Sequence, residues 1–111
     1  TWYMGLIDTT GSLSASDKLD DHAWNEITAY VGGSSSRKIW NPDDPSGQSI
    51  SNATPVTFTM NGSATVRGIL ICNKDLAGTA SDILWCTGAF SSNQVLVNGN
   101  VLNVVYTVSL T

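Results

Sequence analysis

The chain has 111 residues, of which 41% are hydrophobic and 13% charged, with a net charge of −4. That length makes one domain, residues 1–111, around a single core, and the apolar fraction speaks against disorder. Five basic residues against nine acidic ones form no patch for a phosphate backbone, and no apolar run approaches the ~20 residues of a membrane-spanning helix, so neither nucleic acid nor a membrane is an expected partner.

With so little charge, the polar surface falls to Ser, Thr, Asn and Gly, a composition suited to turn-rich all-β proteins. In the opening segment, Trp2, Met4 and Leu6 alternate against Thr1, Tyr3 and Gly5, which is the period of a strand. The chain starts at Thr1, without methionine and already apolar, so an upstream arm is expected. Thr9 to Ser16 reads as a polar loop. Ser14 or Ser16 then caps one short helix near residues 17–23, with Asp17 three residues after Ser14 as in a capping box. That helix turns Leu19 and Ala23 inward.

Trp24 to Val31 is expected to be a strand ending at Gly32-Gly33, and Arg37 to Trp40 a shorter one stopped by the turn-rich Asn41–Gly47. Gln48 to Gly62 supplies two strand pieces, with Val56, Phe58 and Met60 facing inward and Thr57 and Thr59 outward. Asn61-Gly62 is a strong hairpin signal. The next segment is apolar on both faces from Ile69 to Cys72, which predicts a central, covered strand. Asp82 to Phe90 is another strand, with Gly88 as a bulge or a point of close approach. Val97 to Asn100 is a turn. Val101 to Thr111 reads as one strand, with Leu102, Val104, Tyr106, Val108 and Leu110 inward. About eight short strands with one helical turn predict an all-β, single β-sandwich or jelly-roll-like domain.

The densest cluster of chemistry is Ser16 to Glu26, with Asp17, Asp20, Asp21, Glu26 and the only histidine, His22. A catalytic reading would pair His22 with one of these acids, but it needs a nucleophile, and no G-x-S-x-G elbow or hydrolase cysteine motif is present. A metal reading lacks both the calcium-loop spacing and H-E-x-x-H. Capping by Asp17 and packing by Leu19, Ala23 and Trp24 account for the segment more fully. No enzyme activity and no cofactor is therefore expected. Cys72 and Cys86 lie in consecutive strands, where a cross-strand pair is conceivable and two buried thiols the blander reading. Four tryptophans, Trp2, Trp24, Trp40 and Trp85, suit a core or a subunit interface better than a sugar platform, with Trp40 the one expected to be exposed.

The order of "WYMGLID", "DKLDDHAWNEITAY", "RKIWNP", "SISNATPVTFTMNGSATVRGILI" and "LWCTGAFSSNQVLVNGNVLNVVYTVSL" resembles a family of small tailed-bacteriophage virion proteins over nearly the whole chain. Asp17, Leu19, His22, Trp24 and Glu26 fall on one family motif, Arg37, Trp40 and Pro42 on a second, and Gly99, Leu102, Val104 and Tyr106 on a third. Asp21, Ala23 and Asn100 depart from the family pattern, where Ser, Gly and Asp are usual. The resemblance implies a virion structural protein, first a capsid decoration (cement) protein on the capsid exterior, assembled in the bacterial host cytoplasm. Its expected partners are the major capsid protein and copies of itself, as a dimer or trimer, with no small-molecule substrate. The alternative is a receptor- or carbohydrate-binding module of a tail or fibre. Trp2, Tyr3, Arg37 and Trp40 are the expected partner interface, the first two because the opening strand is already apolar, the others as residue types over-represented in interface hot spots.

Overall fold

Alternating apolar residues become strands throughout the computed structural model, which describes residues 2–14, 23–33, 37–41, 49–52, 54–73 and 84–109. The described strands are β1 (Trp2–Ile7), β2 (Glu26–Ile27), β3 (Lys38–Trp40), β4 (Ser49–Ser51), β5 (Val56–Thr59), β6 (Ala64–Cys72), β7 (Leu84–Leu96), β8 (Val101–Val104) and β9 (Thr107–Ser109). The protein is all-β, as expected. The helix expected near residues 17–23 lies outside the described residues except for Ala23, which forms a bend with Trp24, and no helix occurs among the described residues.

β1, β2, β3, β6 and β7 form a five-stranded antiparallel sheet. β6 runs along one side of β1. On the other side β3 pairs with Trp2–Met4 and β2 with Leu6–Ile7, so two short strands share one edge. β4 pairs with β9 and β5 with β8, so the same two chain segments run antiparallel through two successive ladders. The break between the ladders is bridged by Asn52. Its amide nitrogen donates to the Val104 carbonyl at 3.0 Å, and its amide oxygen accepts from the Tyr106 N–H at 2.8 Å. The strand expected to run unbroken from Val101 is thus interrupted at Val105 and Tyr106, yet Leu102, Val104 and Tyr106 keep their inward side.

The main core lies between sheet and ribbon. Met4, Leu6, Ile27, Trp40, Ile69 and Ile71 of the sheet meet Val56, Phe58 and Val104 of the ribbon. Tyr30 stands edge-on to Phe58, with ring centroids 4.9 Å apart at 85°. β6 is covered on both faces, as its double apolar pattern requires. Leu70 and Cys72 turn to the opposite side, into a smaller core with Ile7 and Trp24, packed by Tyr3, Leu13 and Leu84.

Asn61-Gly62 does not make the expected hairpin. β5 pairs with β8 while the following strand, β6, pairs with β1 and β7, so this turn carries the chain between layers. Neither residue has positive φ, whereas a two-residue hairpin turn of the Asn-Gly kind requires it. The segment instead bonds to the chain after β2: Asn61 N–H donates to the Ala29 carbonyl at 3.1 Å, and Val31 N–H to the Thr59 carbonyl at 2.8 Å. The expected strand from Trp24 to Val31 is reduced to Glu26–Ile27 and a bridge from Tyr30 to Met60. On this side the two layers are stitched together.

Candidate interaction surface

The opposite side is built differently. Asp82 is the last charged residue of the sequence, so β7, the turn after it, β8 and β9 carry no formal charge. Among the described residues, β7 pairs only with β6 and β8 only with β5. Their second edges border an open cleft of about 350 Å³, lined by Phe90, Ser91, Gln94, Leu102, Asn103 and Val105 among others. β7 is bulged here. Val66 lies opposite Gln94 and Gly68 opposite Ala89, so Arg67 alone faces Phe90, Ser91, Ser92 and Asn93. A second register shift, between Leu84 and Cys86, leaves β7 with a regular run from Cys86 to Ala89 and a short one from Gln94.

This segment also carries four exposed valines, of which Val105 lines the cleft. Val95 is 77% exposed and Val105 63%, with Val97 and Val101 more than half exposed. Val97 and Val101 flank the turn that Gly99 closes with φ 91°, a left-handed conformation suited to glycine. The turn is held down by Gly99 N–H donating to the Met60 carbonyl at 2.8 Å, by Met60 N–H donating to the Asn100 carbonyl at 2.8 Å, and by Val97 N–H donating to the Asn100 side-chain oxygen at 2.9 Å. The valines are therefore displayed by a pinned turn and strand.

Trp2, Tyr3, Arg37 and Trp40, the expected partner interface, lie on β1 and at β3. Trp2 pairs across strands with Trp40, and Tyr3 with Ile39. Trp2 and Tyr3 are half-buried against the two cores. Trp40, expected to be exposed, is buried, with its ring 6.3 Å from that of Tyr106. Docking of β3 onto β1 brings it under the ribbon. Arg37 is also buried. It forms a two-point ion pair with Glu26, so its charge is spent within the fold. The expectation of an exposed Trp40 is corrected by its burial, and the structure brings the four residues together at the β1–β3 edge. The valines alternate with inward-facing neighbours and look like ordinary strand residues. The absence of charge after Asp82 is the sequence signal that marks this region.

Ionisable groups near the cores are tuned by burial. Burial, followed by the nearby Glu26 charge, pushes the Tyr30 phenol up to about 12. Tyr106 is also raised to about 12, first by its hydrogen bond to the Cys86 thiol and then by burial. Burial pushes Cys86 up, against the opposing effect of the Tyr106 bond. Burial works against the Arg37 cation, but the Glu26 hydrogen bonds and charge outweigh it and leave Arg37 raised. Cys72 packs in the smaller core and Cys86 against the main one, on opposite faces of the sheet, and both are free thiols. Among the described residues no three His, Cys, Asp or Glu side chains gather as a metal site. The described residues of the acidic cluster, Ala23 to Glu26, contribute a bend, a buried Trp24 and the partner of Arg37.

A second concavity, of about 410 Å³, lies at the far end of β1. Asp8, Thr9, Thr28, Ser63 and Thr65 line it with hydroxyl and carboxylate groups. Compared with family models, with curated proteins and with solved structures, the chain matches none.

Proposed function

We propose that this chain is a bacteriophage virion structural protein, a capsid decoration (cement) protein that binds the outer surface of the major capsid lattice. The observation that carries the proposal is the charge-free region with exposed Val95, Val97, Val101 and Val105 on a pinned turn and strand. An exposed apolar group of this kind suits docking on another protein. A sandwich that presents such a surface brings contact and shape, which is what a decoration protein supplies. The order of its sequence motifs, similar to small phage virion proteins, supports the same reading.

A receptor- or carbohydrate-binding module of a tail or fibre is the second reading. The hydroxyl-lined groove beside Asp8 and Thr65 favours it, because sugars are bound through such groups. Burial of Trp24 and Trp40 removes two of the aromatic platforms that sugar stacking would use.

Copy number separates the readings. In purified virions of the phage encoding this chain, a decoration protein is present in numbers comparable to the major capsid protein. A tail or fibre module is present at a small fraction of that number. Absence of the chain from purified virions would overturn both.

A further inference from the structure

The edges of the main sheet are not protected alike. β2 is two residues long and carries Glu26, and β3 is three residues long and carries Lys38. Short length and charge are the usual guards of an exposed edge. β7 has neither. It runs for 13 residues from Leu84 to Leu96 without a charged residue or a proline. No other described strand pairs with its second edge, so among the described residues no strand takes up its outward N–H and C=O groups on that side.

We propose that two copies of this chain associate edge to edge, β7 against β7, antiparallel about a twofold axis that falls within residues 86–89. The two five-stranded sheets then become one continuous sheet.

Three observations choose a second copy as the occupant. First, what the edge offers is main chain, and its complement is another extended strand. A strand paired antiparallel with its own copy satisfies both edges at once, since an isologous contact is self-complementary. Secondly, every charged side chain, and with it the net charge of −4, resides in residues 1–82, so two copies meeting through that part of the chain bring charged groups together. Meeting on β7 brings no like charges into contact, while a partner of opposite charge finds nothing there to attract it. Thirdly, the run before the bulge keeps a regular ladder with β6 from Cys86 to Ala89, so it presents its free groups at regular strand spacing. Beyond Ala89 the bulge turns the strand aside, which limits the contact to the earlier run.

The inference deepens the virion reading at the contact between copies, and it rests on that reading for the expectation that copies meet. Its test uses the free protein, so the two fail separately. Absence from virions counts against the decoration reading, and the solution mass of the purified chain decides the edge pairing.

Ala89 is exposed and lies on the free strand, so Ala89→Lys and Ala89→Glu each place like charges on both strands of the pair. Light scattering coupled to size exclusion gives a dimeric mass for the wild type at ~0.1 mM, and each variant raises the dissociation constant ~10-fold or more with an unchanged circular dichroism spectrum. Mixing the Lys and Glu variants restores a dimer. Should the Ala89 variants fail to fold, Thr87→Lys, on the same face of β7, carries the same expectation. A wild type that stays monomeric up to ~1 mM overturns the proposal. So does a trimeric mass, because a three-fold ring cannot pair β7 with itself, and so does a dimer that no β7 charge weakens.

Discussion

Arg37 and Glu26 hold each other through two parallel hydrogen bonds inside the sheet edge, Nε to Oε2 at 2.8 Å and Nη2 to Oε1 at 2.7 Å. Their side chains are 1% and 9% exposed. The pair spans from β2 to the residue before β3, so it clamps together the two short strands that share the β1 edge. Gly5 makes room for it: a Cβ at that position would stand 2.6 Å from Glu26 Oε2. Breaking a buried pair from one side leaves the other charge without its partner, which costs about 3–5 kcal/mol. Arg37→Leu and Glu26→Gln are each expected to lose stability in that range in urea unfolding. The double variant, with no charge left to strand, loses less than the sum.

Asn52 is expected to be worth more than an ordinary surface asparagine. Its side chain supplies a donor and an acceptor where the ribbon ladder breaks, and it also donates to the Thr54 carbonyl at 2.8 Å. Asn52→Ala leaves the Val104 carbonyl and the Tyr106 N–H without these partners, at about 1–3 kcal/mol for the stranded groups. Asn52→Asp keeps the acceptor and loses the donor. It is expected to retain protection of the Tyr106 amide in hydrogen exchange while still lowering the midpoint of unfolding. Equal stability of wild type and Asn52→Ala would show that water serves this break as well as the side chain does.

Phe58 tests the main core. It is fully buried and meets the Tyr30 ring edge-on. Phe58→Ala is expected to cost about 3–5 kcal/mol, and Phe58→Leu distinctly less, by denaturant titration. Its burial was legible in the sequence, since Val56, Phe58 and Met60 alternate with Thr57 and Thr59, and period two is all that a half-buried strand requires. The double-sided burial of β6 was legible for the same reason, from the unbroken apolar run Ile69 to Cys72.

What the sequence concealed concerns partners in space. Asn61-Gly62 announces a change of direction, but not which sheet the next strand joins, and here the chain leaves β5 for a strand paired to β1. The turn is defined by bonds to Ala29 and Val31, more than twenty-five residues away in the chain. Trp40 looks exposed beside Asn41 and Pro42 because its burial depends on β3 docking opposite Trp2. Arg37 looks like a free cation until Glu26 is brought to it. The exposed valines escaped notice because alternation assigns them only to outward faces. Nothing local says that, among the described residues, β7 and β8 pair on one side only.

Alkaline pH is expected to destabilise the fold over a defined window. A tyrosine has an ordinary pKa of 10.0, and Tyr30 and Tyr106 are both raised to about 12 in the folded chain. The fold therefore favours the neutral phenols. Their contribution is fully present below pH 10 and is lost as pH rises through about 12. Tyrosinate absorbance should show these two rings ionising late, or only as the chain unfolds. Tyr30→Phe is expected to flatten the loss of stability across that window. The same substitution costs little at neutral pH, because the buried Tyr30 hydroxyl has no hydrogen-bond partner among the described residues. A pH profile unchanged in both Tyr30→Phe and Tyr106→Phe would contradict the account.

Attachment to a capsid should be insensitive to salt and sensitive to the valines. Val97 and Val101 flank a turn fixed by its bonds to Met60, so their exposure is built into the backbone. No charged residue follows Asp82, which leaves β7, the turn and β8 without formal charges for ion pairs with a capsid. Contact there gains from removing apolar surface from water, at roughly 25 cal/mol per Å² before the costs of association. Salt at ~1 M shortens the Debye length to about 3 Å, which screens surface charge pairs but does not weaken apolar contact. Virions carrying the chain are therefore expected to retain it through a high-salt wash. Val97→Ser with Val101→Ser is expected to reduce the copies retained per virion several-fold. The midpoint of unfolding should stay nearly unchanged, because both side chains are already more than half exposed. Trp40→Ala, by contrast, removes a buried ring and is expected to destabilise the free protein first. Clean release by salt, with the valine variant bound as tightly as the wild type, would locate the attachment on the charged part of the chain and remove the valine surface from it.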